Sequence, residues 1–258
     1  MLDFYTFKHF SKHLSLMHLV STKSLECTYA FSLALHTGED ETDILKNRNT
    51  LAKQIQTNTP LNFVVANQTH GSRVVVIKTP RSRGWENQNT AINNCDALIT
   101  NLPNIMLGIL TADCVSILLY DAKQGVVASI HAGWRGTQKK IVTKTLQKMK
   151  TEFKSNPENI LAAIAPSIGK CCYEVDKNVA RHFFSSPNSF TRMNEKYMLD
   201  LPYLNKEQLL SFGVNEKNIE MSNICTSCQT NRFFSYRKEK GCSGRFISMI
   251  GLKDMHES

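Results

Sequence analysis

No stretch of this chain approaches the roughly 18 consecutive apolar residues that a helix needs to cross a bilayer; its apolar runs are short and broken by Gly, Asn, Asp or Lys. The first residues, MLDFYTFKHFSKHLSL, carry Lys and His where a secretory leader would show an unbroken apolar block and a small-residue cleavage site. A cytoplasmic protein is therefore expected. Glycine (12) and proline (7) are too scarce for a collagen-like or low-complexity chain. No Gly/Ser- or Pro-rich linker divides the sequence and no internal repeat is visible, so one domain over residues 1–258, with loosely ordered termini, is the simplest organisation. Acidic residues are also short: Lys+Arg 31 against Asp+Glu 22 leaves +9, which favours anionic partners such as phosphate, nucleotides or nucleic acid without choosing among them.

What is present reads as a layered α/β protein. In ETDILKNRNTLAKQIQT (41–57), Ile44, Leu45, Arg48, Leu51, Ala52 and Ile55 recur at three- and four-residue spacing and predict an amphipathic helix with Arg48 on its inward side. The period then changes. LNFVVA (61–66), RVVVIK (73–78), DALIT (96–100), IMLGIL (105–110), VSILLYD (115–121) and GVVASIH (125–131) are short, β-branched strands, several so apolar that both faces must be covered. Thr137 is expected to cap a helix carrying Ile141, Val142, Thr145, Leu146, Met149 and Phe153. Further on, 159–165 reads as a strand, Asp176 as the cap of a helix through Phe184, 205–212 as a short helix and 246–252 as a closing strand.

Eight cysteines without an export signal are expected to stay reduced, as buried thiols, ligands or nucleophiles. Three motifs at strand ends each present a metal-ligating residue: Gln68-Thr69-His70-Gly71, Thr111-Ala112-Asp113-Cys114 and His131-Ala132-Gly133-Trp134-Arg135-Gly136. Two imidazoles and a thiolate match a catalytic zinc site of three protein ligands and one open position, and a glycine one residue after His70 and two after His131 lets backbone or substrate approach. Taken singly, a strand-end His or Cys is more often packed than ligating. Cys225-x-x-Cys228 suggests half a zinc ribbon, but no second Cys-x-x-Cys follows, and Cys171, Cys172 and Cys242 make only an irregular supplement.

The blocks NQTHGSRVVVI, CDALITN, TADCVSILLYD, IHAGWRGT, APSIGKCCYEV and FFSYRKEKGCSGR, in that order, resemble the signature blocks of the YfiH family, also called the multicopper polyphenol oxidase or laccase family. The resemblance runs from about residue 30 to about residue 252. It implies an α/β/β/α sandwich of mixed sheets flanked by helices, and zinc on His70, Cys114 and His131. It also implies phosphorolysis of adenosine, inosine and methylthioadenosine and deamination of adenosine. A bacterial branch is linked to removing wrongly incorporated amino acids from peptidoglycan precursors. This chain has Ser116, Ala165, Lys238 and Ser243 where the family usually has Pro, Gly, Arg and Thr; none is a proposed ligand, but Lys238 lacks the bidentate grip of Arg on phosphate. The family has a Cys-Thr pair at Cys225, which would border the active site, whereas Cys228 is this chain's own.

Deamination needs a proton carrier beside the activated water, and Asp113, next to Cys114, is the candidate; a ligand-orienting Asp is its alternative. Phosphorolysis needs cationic donors for phosphate: Arg48, Arg237 and Arg135. Gln68, two residues from His70 on an extended stretch, can contact substrate or support a ligand. Trp134, Phe233, Phe234 and Tyr236 are given no catalytic role. Three other functions compete. Cys114 activated by a histidine would make a cysteine hydrolase of amide or ester bonds. Copper can replace zinc by the Irving–Williams order, but laccase chemistry needs more histidines than His9, His13 and His18 supply. A nucleic-acid-binding protein is the weaker reading of the charge, because no nucleic-acid motif accompanies the Lys-rich helix.

Overall fold

Two large mixed sheets stack face to face in the computed structural model of the chain, which describes residues 2–241 and 243–254. The first sheet has the order β1 (Phe4–Tyr5), β2 (Leu16–Ser21), β14 (Phe246–Leu252), β6 (Ile105–Thr111), β3 (Asn62–Val65). The second has the order β13 (Ile219–Met221), β9 (Ile160–Ile164), β7 (Val115–Asp121), β8 (Val126–Ala132), β5 (Ala97–Thr100), β4 (Val74–Val76). Helix α1 (Glu41–Gln54) covers the outer face of the first sheet; α3 (Ile141–Phe153) and α5 (Leu201–Phe212) cover that of the second. A three-stranded ribbon, β10 (Glu174–Asp176), β12 (Lys196–Leu199) and β11 (Phe190–Met193), and the short helices α2 (Trp134–Gln138) and α4 (Lys177–Ala180) complete the chain. This is the expected α/β/β/α sandwich. No helix among the described residues is long and apolar enough to cross a membrane.

The unbroken apolar strands follow from this layering, because a strand buried on both faces loses polar alternation. Along β7, Leu118 and Tyr120 enter the layer between the sheets with Leu107, Ile109 and Ile250, while Val115, Ile117 and Leu119 face Leu146 and Met149 of α3. Leu51 of α1 packs with Phe63, Val65, Met106 and Met249 on the far side of the first sheet. Each such side chain contributes about 1.5–3 kcal/mol by leaving water. At the centre of the first sheet, a Cβ on Gly251 would fall on the Ile105 carbonyl oxygen and the Met106 sulfur. Gly251→Ala is expected to destabilise the protein by about 1–3 kcal/mol, read as a lower denaturant midpoint, since backbone cannot yield as a side-chain tip does.

Several elements depart from the sequence reading. The sequence assigns no element before residue 41, whereas Phe4–Tyr5 and Leu16–Ser21 form β1 and β2, and β2 pairs with the closing strand β14. Thr137 is not a helix cap: it lies inside α2, whose N-cap is Gly133, and α3 begins after Lys140 in left-handed backbone (φ 58°). The Thr137 hydroxyl instead accepts from Asn205 Nδ2 of α5 at 3.1 Å. Helix α5 starts earlier than residue 205 because Asp200 caps it and Pro202 fits its first turn. Asp176 does stand at the N-terminus of a helix, but α4 ends at Ala180, continued by a 3-10 turn to Phe183.

At one end of the sandwich the chain passes from the first sheet to the second from β3 to β4 and again from β6 to β7. His70 lies on the first passage and Cys114 on the second. His131, near the end of β8, pairs in register with Ser116, so Cys114 comes opposite Gly133.

Candidate functional site

These passages bring His70, Cys114 and His131 together, with ligand atoms all within 4.8 Å of one another. The two imidazole rings meet edge to face at 4.7 Å between centroids. Left-handed backbone at His70 (φ 56°) and Asp113 (φ 86°) turns each passage sharply enough to present its donor. Glycine is required at 133: a Cβ there would lie 3.0 Å from Cys114 Sγ and 3.1 Å from His70 Cδ2, within the space between the donors. The donor set and this cradle suit a metal with borderline-soft preferences.

Asp96, immediately before β5, organises the site, and no local pattern in the sequence singles it out. Its Oδ1 lies 2.8 Å from His131 Nδ1, which fixes the ring and turns Nε2 toward Cys114. Its Oδ2 accepts from Gly71 N at 2.8 Å, Thr69 Oγ1 at 3.2 Å and Thr69 N at 3.4 Å, so one buried carboxylate holds both the His131 ring and the His70 loop. Burial alone would raise its pKa, but the His131 bond and these amides outweigh it and hold the carboxyl below the usual range. The only sequence signal was an acid at the start of an otherwise apolar strand.

Burial would likewise raise the Cys114 thiol, yet the charge of His131 and hydrogen bonds from His131 and His70 bring it down to about 6. Burial pulls His131 down, but Cys114 and Asp96 outweigh it and lift the imidazole to about 9. In the metal-free protein the two shifts favour a thiolate–imidazolium pair. Site-resolved alkylation of metal-stripped protein is expected to show Cys114 reactivity rising through about pH 6 and levelling above it. Cys95, which burial raises to about 11, should stay inert over that range.

A cavity of about 560 Å³ opens on the three donors, a volume within the range of small-molecule sites. Arg135, Arg237, Arg245, Tyr173, Tyr236 and His36 also line it. Arg237 is fixed by donation from Nη1 to the Glu174 carbonyl at 2.8 Å and lies over the Tyr173 ring. Gln68 lines the cavity too, with its amide bonded to both backbone groups of Leu110, at 2.8 Å to the carbonyl and 2.9 Å from the N–H. Both Asp113 oxygens are engaged: Oδ1 accepts from Thr226 Oγ1 at 2.6 Å and Oδ2 from Arg237 N at 2.7 Å. That carboxylate ties two segments of cavity wall together.

Arg48 departs from its expected phosphate role. It is fully buried and absent from the cavity lining, and it donates to the carbonyls of Leu33, Gly84 and Trp85. Its place on the inner helix stripe sends it into the α1 layer, where burial lowers its pKa to about 10. Arg245 and His36 occupy the cavity instead, and neither was singled out in the sequence, since no local pattern distinguishes them from surface residues.

The family model described as multi-copper polyphenol oxidoreductase laccase matches residues 19–253. A curated relative from Bacillus subtilis, purine nucleoside phosphorylase YlmD, is 34% identical over 91% of this chain and 85% of its own length. Adenosine deaminase RL5, from an unknown prokaryotic organism, is 36% identical over 86% of this chain and 87% of its own. The crystal structure of the Bacillus licheniformis hypothetical protein YfiH superposes with a TM-score of 0.87 at 32% identity, over 92% of this chain and 93% of that one. With a matched model spanning most of its length and the same fold as YfiH, the chain belongs to the laccase-like YfiH family.

Proposed function

We propose that this protein is a zinc-dependent purine nucleoside enzyme that phosphorolyses adenosine, inosine and methylthioadenosine to base and sugar 1-phosphate and deaminates adenosine to inosine. The observation that carries the reading is the cavity itself: a His-Cys-His donor set on one wall and three arginines around it, in a space sized for a nucleoside with phosphate. Relatives named for both activities support it.

His70, Cys114 and His131 would hold the zinc, with His131 ligating through the nitrogen that Asp96 leaves free. When bound, zinc supplies Lewis-acid activation of water or of the leaving purine. Arg135, Arg237 and Arg245 offer the cationic donors that a phosphate nucleophile needs for capture and orientation. Burial and the neighbouring Cys114 raise the Tyr173 hydroxyl, so Tyr173 Oη keeps its proton at neutral pH and can donate a hydrogen bond to the departing base. Asp113 acts through Thr226 and Arg237 as a positioning residue. Among the described residues, the only groups of three or more metal-capable donors are this one and a four-cysteine cluster, so the several histidine-bound coppers of laccase chemistry have no ligands here.

A second reading has a specific observation behind it. Cys114, His131 and Asp96 stand in the order nucleophile, base and orienting acid, as a cysteine hydrolase of amide bonds would require. Product analysis separates the two. With adenosine as substrate, the purine reading expects adenine and ribose 1-phosphate only when phosphate is present, and inosine with or without it. No turnover of any purine nucleoside by zinc-loaded protein would remove that reading and leave the hydrolase.

A further inference from the structure

We infer a second metal site, independent of the nucleoside site, in which Cys171, Cys172, Cys225 and Cys228 bind one zinc ion as a tetrathiolate. Two turns far apart in sequence create it. In the first, the amides of Cys172 and Tyr173 both donate to the Gly169 carbonyl at 3.0 Å, and this curl directs two adjacent cysteines, which extended backbone would send to opposite sides, toward one point. In the second, Cys228 N donates to the Cys225 carbonyl at 3.2 Å, closing a Cys-x-x-Cys turn. The two turns are joined side by side: Thr226 N donates to the Ser167 carbonyl at 3.0 Å and Ser167 N to the Ile224 carbonyl at 3.2 Å. A second Cys-x-x-Cys, missing from the sequence, is thus replaced by the Cys171–Cys172 pair.

The sulfur spacing fits one ion. All four sulfurs lie within 4.8 Å of one another, with Cys228 3.4 Å from Cys172 and 3.7 Å from Cys171. A tetrahedron with metal–sulfur bonds of about 2.3 Å has sulfur–sulfur edges of about 3.8 Å, whereas a disulfide needs about 2.05 Å. Gly169 supplies what thiolate ligands require around them. Its amide donates to Cys225 Sγ at 3.3 Å, and a Cβ on it would sit tightly, 3.3 Å from Cys225 Cβ, and touch Cys171 Sγ. Cys171 and Cys228 are exposed and Cys172 and Cys225 partly so, which gives the ion an entry path and leaves little apolar packing to hold these turns otherwise. The joined turns flank the nucleoside cavity: Ile168 N donates to the Asp113 carbonyl at 2.9 Å and Tyr173 lines the wall. The ion would brace that wall without touching substrate. Cys242 lies outside the described residues.

The test is zinc per chain in full-length protein prepared under reducing conditions, for wild type, Cys114→Ala, Cys228→Ser and Cys172→Ser. Two equivalents are expected in wild type and one in each variant. After cobalt exchange, the strong tetrathiolate charge-transfer absorption should persist in Cys114→Ala and vanish in Cys228→Ser and Cys172→Ser. Two cysteine variants are used so that a folding defect in one, visible by circular dichroism, leaves the other to decide. A single zinc that Cys114→Ala removes and Cys228→Ser keeps would overturn the inference, as would a disulfide among these four residues or iron in place of the second zinc. One zinc lost only in the Cys228 and Cys172 variants would uphold it while refuting the metal at the nucleoside site, so the two claims fail separately.

Discussion

Cys114→Ala is expected to lower purine nucleoside turnover by on the order of a thousandfold or more and to remove the metal bound with His70 and His131. The size follows from the donor count. Three protein ligands with an open fourth position is the minimum of a catalytic zinc centre, and Cys114 is the only one of the three that brings a formal negative charge. Its loss leaves two histidines, one on an exposed loop, with no compensating donor among the groups that meet at the site. The fold should survive, because Cys114 sits between β6 and β7 rather than within either strand and Ala fits where Cys did. Metal content, unfolding midpoint and turnover in the same preparation check this. Loss of activity with the metal retained would make Cys114 a nucleophile and favour the hydrolase.

Asp96→Asn is expected to weaken metal retention and to lower kcat/KM by about 10–100-fold each. The substitution keeps shape and reverses one role. An amide oxygen in the Oδ1 position still accepts from His131 Nδ1, but the NH2 group then faces the amides of Gly71 and Thr69, donor against donor. Flipping the amide repairs that clash and sets the NH2 against His131 instead. Either way one of the two histidines loses its orientation, and a buried donor is left unpaired at a cost of about 1–3 kcal/mol in stability. Competition with a chelator of known affinity reads the first effect and steady-state kinetics the second. Wild-type metal retention in Asp96→Asn would show that Asp96 serves packing alone.

The strands of the sandwich were legible because burial on both faces writes itself as short β-branched runs, and β7 and β14 begin and end where those runs do. Strand β2 was hidden because LMHLVS carries a histidine, and the sequence does not show that His18 accepts from Phe7 N inside the sheet edge. The motifs at His70, Cys114 and His131 could be picked out because each ends or follows a strand, but their convergence depends on two passages between sheets that no local pattern encodes. Asp96 and Arg245 went unnoticed for the same reason, since what distinguishes them is their neighbours in space. Arg48 shows the converse: helical periodicity placed it inside, and only the tertiary structure reveals carbonyls rather than phosphate waiting there. Cys171 and Cys172 read only as an irregular supplement to Cys225-x-x-Cys228, because the meeting of the 169–173 turn with the 225–228 turn spans more than fifty positions.

The most direct test strips the purified protein of metal, restores zinc in substoichiometric steps, and follows adenine released from adenosine with and without phosphate. Stripped protein is expected to be inactive, and phosphate-dependent adenine release is expected to return in proportion to the zinc taken up at the Cys114 site. Full release of adenine by stripped protein, or none after zinc is restored, would contradict the zinc-dependent reading.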